Sequence, residues 1–215
     1  NVWGVTGAST HTGVTSVTAG TLALSHNAAL GTTATGTTVA TGGNLDLSNN
    51  ITVTGEALTL TAAASDAVLS SSAGVNTWAG NITADTGTST GRVRILSSAG
   101  STMNVTGAVN LSAGTADFVI GGDGNGEISG QITGSQRLFK SSAGAGTWIL
   151  SADNSATFIG RTTIGNGAIQ IASESALGTT PGTFTANQLT LGGGSTPGTL
   201  KTTATLAISA NRGVT

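Results

Sequence analysis

The sequence predicts an all-β fold, a parallel β-helix or β-solenoid, on three observations. Its apolar residues come as short couplets with a period of two, never as helix-length runs. Gly, Asn, Ser and Thr bracket the couplets, as turns require. A long internal repeat brings the same couplets back at the same spacing. At about 20 residues per coil, 215 residues make roughly ten coils.

Composition narrows the class. Only 7% of the residues are charged and 3% are aromatic, while 34 are Gly. An ordinary soluble domain is about a quarter charged. Disorder does not follow, because a disordered chain is poor in Ile, Val and Leu and rich in charge or Pro. Here the aliphatics are regularly spaced, and Pro181 and Pro197 are the only prolines. The chain is expected to fold around a thin core. Thr suits strands through its branched Cβ. The usual helix formers Lys, Glu, Gln and Arg are scarce, so helix is expected only as a stray turn.

The absence of Cys excludes a disulfide framework and thiolate metal sites. A net charge of −2 offers no electrostatic case for nucleic acid. No run of about 18 apolar residues occurs, so no membrane insertion of this segment is expected. There is no initiator Met and no signal peptide, and the chain reads as a mature or trimmed piece of a larger repetitive protein.

The repeat sets the register. Residues 13–32, GVTSVTAGTLALSHNAALGT, align without a gap on residues 160–179, GRTTIGNGAIQIASESALGT, an offset of 147 (160 − 13). Gly13 matches Gly160, Thr15 matches Thr162 and Gly20 matches Gly167. Val17, Leu22 and Leu24 fall on Ile164, Ile169 and Ile171, whereas Ala23 falls on Gln170. Alternate positions are kept aliphatic, which is the mark of a strand with one buried face. Trp3 and Trp148 precede the two copies at nearly the same distance.

Between the copies the expected strands follow in order. They are Leu45/Leu47, Ile51/Val53, Leu58/Leu60, Val68/Leu69, Ile82, Val93/Ile95, Val105, Val109/Leu111, Phe118/Ile120, Ile128, Ile132, Leu138 and Trp148/Leu150. After the second copy come Leu189/Leu191, Leu200 and Leu206/Ile208. No helix-length segment connects them, which excludes βαβ packing. An antiparallel barrel or propeller would need longer strands and more two-residue Asn-Gly turns than Asn125-Gly126 and Asn166-Gly167 supply. A solenoid accepts variable spacing, because each coil bonds only to its neighbours.

Residues 138–171 carry Leu138, Lys140, Gly144, Gly146-Thr147-Trp148-Ile149-Leu150-Ser151, Asn154, Phe158, Gly160, Thr162, Ile164, Gly167, Ile169 and Ile171. This run resembles the autotransporter-associated β-strand repeat, the passenger-associated transport repeat of bacterial autotransporters. Trp148 stands where Leu is usual, Phe158 where Tyr is usual and Ala152 where Gly is usual. Shorter matches begin at Asn76 and Thr10. The resemblance implies a right-handed parallel β-helix on a bacterial surface or secreted. It also implies a stalk and folding element without catalytic residues or cofactors.

Candidate chemistry is sparse. Gly121-Gly122-Asp123-Gly124-Asn125-Gly126-Glu127 has the texture of the Gly-rich calcium nonapeptide, with Asp123, Asn125 and Glu127 as candidate metal ligands. Gly126 stands where that loop needs Asp, so a Gly-rich turn is the plainer reading. The acids Asp46, Glu56, Asp66, Asp85, Asp117, Asp123, Glu127, Asp153 and Glu174 are dispersed, unlike those of a polysaccharide lyase or hydrolase. Arg92 and Arg94 share one strand face, which reads as a solvated face before an anion site. Nothing groups Ser, His and Asp for nucleophilic catalysis. The seven aromatics are expected to fill corners or cap stacks rather than form a sugar platform. Ile149 is expected to face outward between Trp148 and Leu150.

These readings describe a non-enzymatic structural or adhesive segment of an exported bacterial surface protein, acting as a rigid stalk, coat or fibre scaffold. Its expected partners are further coils of the same protein, neighbouring copies or surface glycans. The alternatives are a self-assembling extracellular filament subunit and a carbohydrate-binding or polysaccharide-cleaving β-helix module.

Overall fold

A computed structural model describes residues 1–86, 90–141, 143–192 and 197–215. The chain is a three-sided parallel β-solenoid. From Gly43–Ser48 to Thr147–Leu150 successive strands visit three sheets in rotation, toward either end they alternate between two, and each interior strand pairs in parallel with the strand one coil before and after it. The first sheet holds 10 strands: Val2–Val5, Gly20–Leu24, Gly43–Ser48, Ala67–Ala73, Val93–Ser97, Phe118–Gly121, Leu138–Lys140, Thr162–Ile164, Thr185–Leu191 and Arg212–Val214. The second holds 7: Thr52–Val53, Val75–Trp78, Thr102–Val105, Asn125–Ile128, Thr147–Leu150, Gly167–Ile171 and Gly198–Thr202. The third holds 6: Thr15–Val17, Thr37–Val39, Leu58–Thr61, Ile82–Asp85, Val109–Ala113 and Ile132–Gly134. Phe158 extends the third by a bridge to Gly134.

The expected fold class holds. The turns number about 8, fewer than the roughly ten coils expected, because the coils are longer than 20 residues. Coils run from 19 residues (22 − 3, Trp3 to Leu22) to 31 (198 − 167, Gly167 to Gly198), longer on the whole than the sequence suggested. Leu206 and Ile208 pack against the core but form no strand. Thr15–Val17 and Thr37–Val39 are strands that the couplet pattern did not mark. Among the described residues the helical element is one 3₁₀ turn, Glu174–Leu177, capped by Ser173.

The core is a stack of rows. On the first sheet, Leu45, Leu69, Ile95, Ile120, Lys140 and Ile164 occupy one inward row and are fully buried, with Leu22 partly buried at its start. Trp78, Trp148, Phe118 and Phe158 are also fully buried, so these four aromatics fill the interior as expected. The Trp148 ring lies on Gly126 of the preceding coil, where an added Cβ would meet it at 2.6 Å. The outward row of the third sheet runs Ser16, Thr38, Thr59, Thr83, Asn110 and Thr133, a near-continuous hydroxyl ladder.

Corners interrupt the strand ladders, and Asn and Asp side chains fill the gaps. The Asn50 Oδ1 accepts from the Val75 N–H (2.9 Å) and the Asn81 Oδ1 from the Ala108 N–H (3.1 Å). Asn154 joins three coils. Its Oδ1 accepts from the Ile132 N–H (2.8 Å) and its Nδ2 donates to the Ala176 carbonyl (2.9 Å).

The two repeat copies share local geometry but not position. In the first, Thr15–Val17 lies in the third sheet and Gly20–Leu24 in the first. In the second, Thr162–Ile164 lies in the first sheet and Gly167–Ile171 in the second. The second copy is rotated by one face about the solenoid axis. The local conformation is retained: Gly20 and Gly167 both take positive φ, as do Gly31 and Gly178. The Thr32 N–H donates to the His11 carbonyl (3.0 Å), as the Thr179 N–H does to that of Phe158 (2.8 Å). Trp3 pairs with Leu22 as Trp148 pairs with Ile169. The repeat therefore encodes a strand–corner–strand unit that fits any face.

Asn154→Ala removes two buried hydrogen bonds and leaves a backbone N–H and a carbonyl unpaired, at a cost of about 1–3 kcal/mol for each. Chemical denaturation is expected to show a total loss of roughly 2–5 kcal/mol. A loss below about 0.5 kcal/mol, the scale of an ordinary surface change, would show that the corner does not depend on Asn154.

Candidate functional site

The repeat positions are structural. Leu24, Leu150, Ile164, Ile169 and Ile171 are buried in the core, and Leu22 packs against it. Gly146 and Gly160 stand where a Cβ would meet the Gly124 carbonyl at 1.8 Å and the Gln136 carbonyl at 2.1 Å. Gly167 takes a φ of 64° over Gly146. Thr162 is buried. Gly13, the counterpart of Gly160, has nothing within 4 Å of a built Cβ, because no coil lies beneath it. Trp3 differs from Trp148 for the same reason: the first is 74% exposed at an open end, the second fully buried.

The Gly-rich loop spends its polar side chains on coil stacking. Asp123 accepts from the Ala145 N–H (3.2 Å), Asn125 from the Thr147 N–H (3.0 Å) and Glu127 from the Ser151 hydroxyl (2.6 Å). Among the described residues no group of three or more His, Asp or Glu side chains is gathered as a metal site. His11 is held between Ser9 (2.8 Å) and Thr15 (2.9 Å), and the His26 ring accepts from the Ala28 N–H (3.1 Å).

The charged residues are not as scattered as the sequence suggested. Asp66, Arg92, Asp117, Arg137 and Arg161 each directly precede a strand of the first sheet and occupy one row along the axis. The backbone repeats at each level: the Arg92, Arg137 and Arg161 carbonyls accept from the Ala67, Phe118 and Leu138 N–H groups. Asp117 takes two hydrogen bonds from Arg137, to Nε at 2.7 Å and Nη2 at 2.5 Å, and Arg92 approaches it at 3.7 Å. This pairing raises the Arg137 pKa above its ordinary value. Asp66 accepts from the Arg92 N–H and pairs with the Arg94 guanidinium. Arg161 makes no ion pair among the described residues, and the next position in the row is Gln188, bonded to the Gly160 carbonyl (3.0 Å).

Beside this row, at the corner between the third and first sheets, lies a hollow of about 540 Å³. Asp117, Arg137, Arg161, Ile159, Thr163 and Asn187 are among its lining residues. Ile159 is 64% exposed, and the Arg137 guanidinium lies 5.1 Å from the centre of the Phe139 ring. A second, shallower hollow of about 350 Å³ crosses the outer face of the second sheet, where Ile149 faces out as expected beside Glu127, Gln170 and Lys201.

Sequence reasoning singled out Arg92 and Arg94 and read them as a solvated face. It missed the row. The available signal was partial: Arg92, Asp117 and Arg137 directly precede the couplets at Val93, Phe118 and Leu138, whereas Asp66 and Arg161 stand two and three residues before Val68 and Ile164.

Lys140 is another feature seen only in three dimensions. It occupies an inward position between Ile120 and Ile164, is fully buried, and donates to the Gly144 carbonyl (3.1 Å). Desolvation lowers its pKa from 10.5 to about 8, against an opposing pull from Asp123.

Over 110 residues the chain is 40% identical to a Brucella suis biovar 1 (strain 1330) protein, the adhesin BmaC autotransporter. The match covers 51% of this chain and 3% of that protein, so the chain corresponds to a small segment of its relative. No family model and no solved structure matches the chain.

Lys140 binds a proton more weakly in the folded chain than in the unfolded one. Between pH 8 and 10.5 the unfolded chain therefore holds the extra proton, and stability rises with pH across that window. Thermal melts of wild type against Lys140→Met are expected to show this rise in the wild type and its loss in the variant. Parallel pH profiles would mean that Lys140 keeps its ordinary pKa in the fold.

Proposed function

We propose that this chain is a non-enzymatic scaffold segment of an exported bacterial adhesin, exposed at the cell surface or secreted. The observation that carries the reading is the uninterrupted coil-on-coil stack, every strand paired in parallel, in a chain with an autotransporter adhesin as relative. Such a stack is stiff along its axis, because bending it opens backbone hydrogen bonds between coils. Its corner and core rows match the residues through which the chain resembles the passenger-associated transport repeat.

The ends support placement within a longer stack. Trp3 and Val214 occupy inward positions at opposite ends and are 74% and 51% exposed, whereas inward residues of interior coils are covered by the next coil. The proposed partners are therefore adjoining coils, from the same protein or from a neighbouring copy. Trp148 lies on a glycine, so a coil covering Trp3 in the same way would offer a small residue beneath it.

Small-angle scattering of the purified segment tests the architecture. A rod is expected, with ten levels at about 4.8 Å each giving a length near 45–50 Å before end loops. Antibodies raised against the segment are expected to label intact producing cells without permeabilisation. A compact globule in scattering, or labelling only after lysis, would overturn the proposal.

A further inference from the structure

The corner hollow brings together features that neither stacking nor scaffolding uses. Arg161 is exposed and has no acidic partner among the described residues, although the other arginines of its row face carboxylates. Arg137 stands one level away, spends Nε and Nη2 on Asp117, and makes no hydrogen bond through its third nitrogen, Nη1, among the described residues. Four of the seven cationic side chains of the protein, Arg92, Arg94, Arg137 and Arg161, lie along this corner against two acids, Asp66 and Asp117. The local balance is +2 (4 − 2), on a chain whose net charge is −2.

The rest of the lining selects among anions. Ser135, Thr163, Thr190 and Asn187, whose Oδ1 accepts from the Thr215 hydroxyl (2.7 Å), line the hollow together with the two arginines, and Ile159 offers one exposed aliphatic surface. The hollow spans the four levels that start at Phe118, Leu138, Thr162 and Leu189, three strand spacings or about 14 Å. No aromatic side chain lines it for stacking bases. Its walls offer an acidic peptide no apolar pocket for anchoring side chains.

We propose that this hollow binds an acidic polysaccharide, a sugar chain bearing carboxylate or sulfate groups. The Arg161 guanidinium grips one anionic group as a planar fork, and Arg137 assists through Nη1. The surrounding hydroxyls and amides bond to the sugar hydroxyls, while Ile159 packs on the ring C–H surface. The inference goes beyond the scaffold role and stands apart from it, since a solenoid can serve as a stalk with this corner empty.

Isothermal titration with defined oligosaccharides tests it. The probes are a uronic-acid hexasaccharide, a sulfated hexasaccharide, neutral dextran of equal length, a hexathymidylate and hexaglutamate. At least one acidic sugar is expected to bind, more weakly at high salt, with the carboxylated and sulfated probes identifying which anion is preferred. Arg161→Ala is expected to weaken that binding roughly tenfold or more and Arg161→Lys to restore part of it, both with an unchanged melting temperature. Absence of binding to either acidic sugar would overturn the proposal. So would unchanged affinity in Arg161→Ala, or binding to dextran, hexathymidylate or hexaglutamate as tight as to the sugars.

Discussion

Each coil must hand its backbone hydrogen bonds to the next, and the rest of the structure follows from that demand. A strand of two to seven residues has no stability alone. It persists because its N–H and C=O groups pair on both sides and its inward side chains meet the same row above and below. The demand is hardest at corners, where the ladder breaks. There the chain uses glycine, whose missing Cβ lets one coil sit directly on the carbonyl of another. Gly130 lies on Gly107, and Gly107 on Gly80, in the same way. Where a carbonyl cannot reach, Asn or Asp supplies one from its side chain. The abundance of Gly, Thr and Asn is thus a consequence of stacking rather than of disorder.

Stacking also explains how a chain with so few charges can concentrate them. Residues 20 to 26 apart in sequence become neighbours at one strand spacing, about 4.8 Å, once the coils are in register. Asp66, Arg92, Asp117 and Arg137 alternate along one corner for that reason, and each acid lies beside a cation. The pairs are partly exposed, so each contributes little to stability, about 1 kcal/mol or less. Their larger effect is on the surface potential of that corner. Lys140 shows the opposite case: a single cation placed in an aliphatic row, satisfied by one carbonyl and made easier to deprotonate by burial.

The couplets were legible in the sequence because an inward position flanked by identical neighbours needs an aliphatic, and a period of two follows from the pleat. Leu45/Leu47, Val93/Ile95 and Ile169/Ile171 fell where expected. Thr37–Val39 did not stand out, because a buried Thr can occupy an inward place beside Glu56, whose carboxylate accepts its hydroxyl hydrogen bond (2.6 Å). Leu206 and Ile208 misled for the converse reason: they pack on the core from an irregular segment. The charged row escaped notice because coil length varies from 19 to 31 residues, which hides register from any fixed period. The aligned copies likewise could not reveal that one is turned by a face, since the repeat specifies a corner and not the side on which it falls.

That indifference to side bears on function. If a strand–corner–strand unit fits any face, units can be added, lost or rotated without breaking the inward rows, provided the backbone register is kept. Outward positions are then released from the fold. Ile149 and Gln170 on one face, and the Arg161 side chain at one corner, can change without touching what holds the coils together. A solenoid therefore separates the residues that make it stand from those that it displays. Displayed chemistry has to be sought in axial rows across coils, not in motifs along the chain, and the row of acids and arginines that reaches Arg161, a cation without an ion pair among the described residues, opens onto a polar hollow.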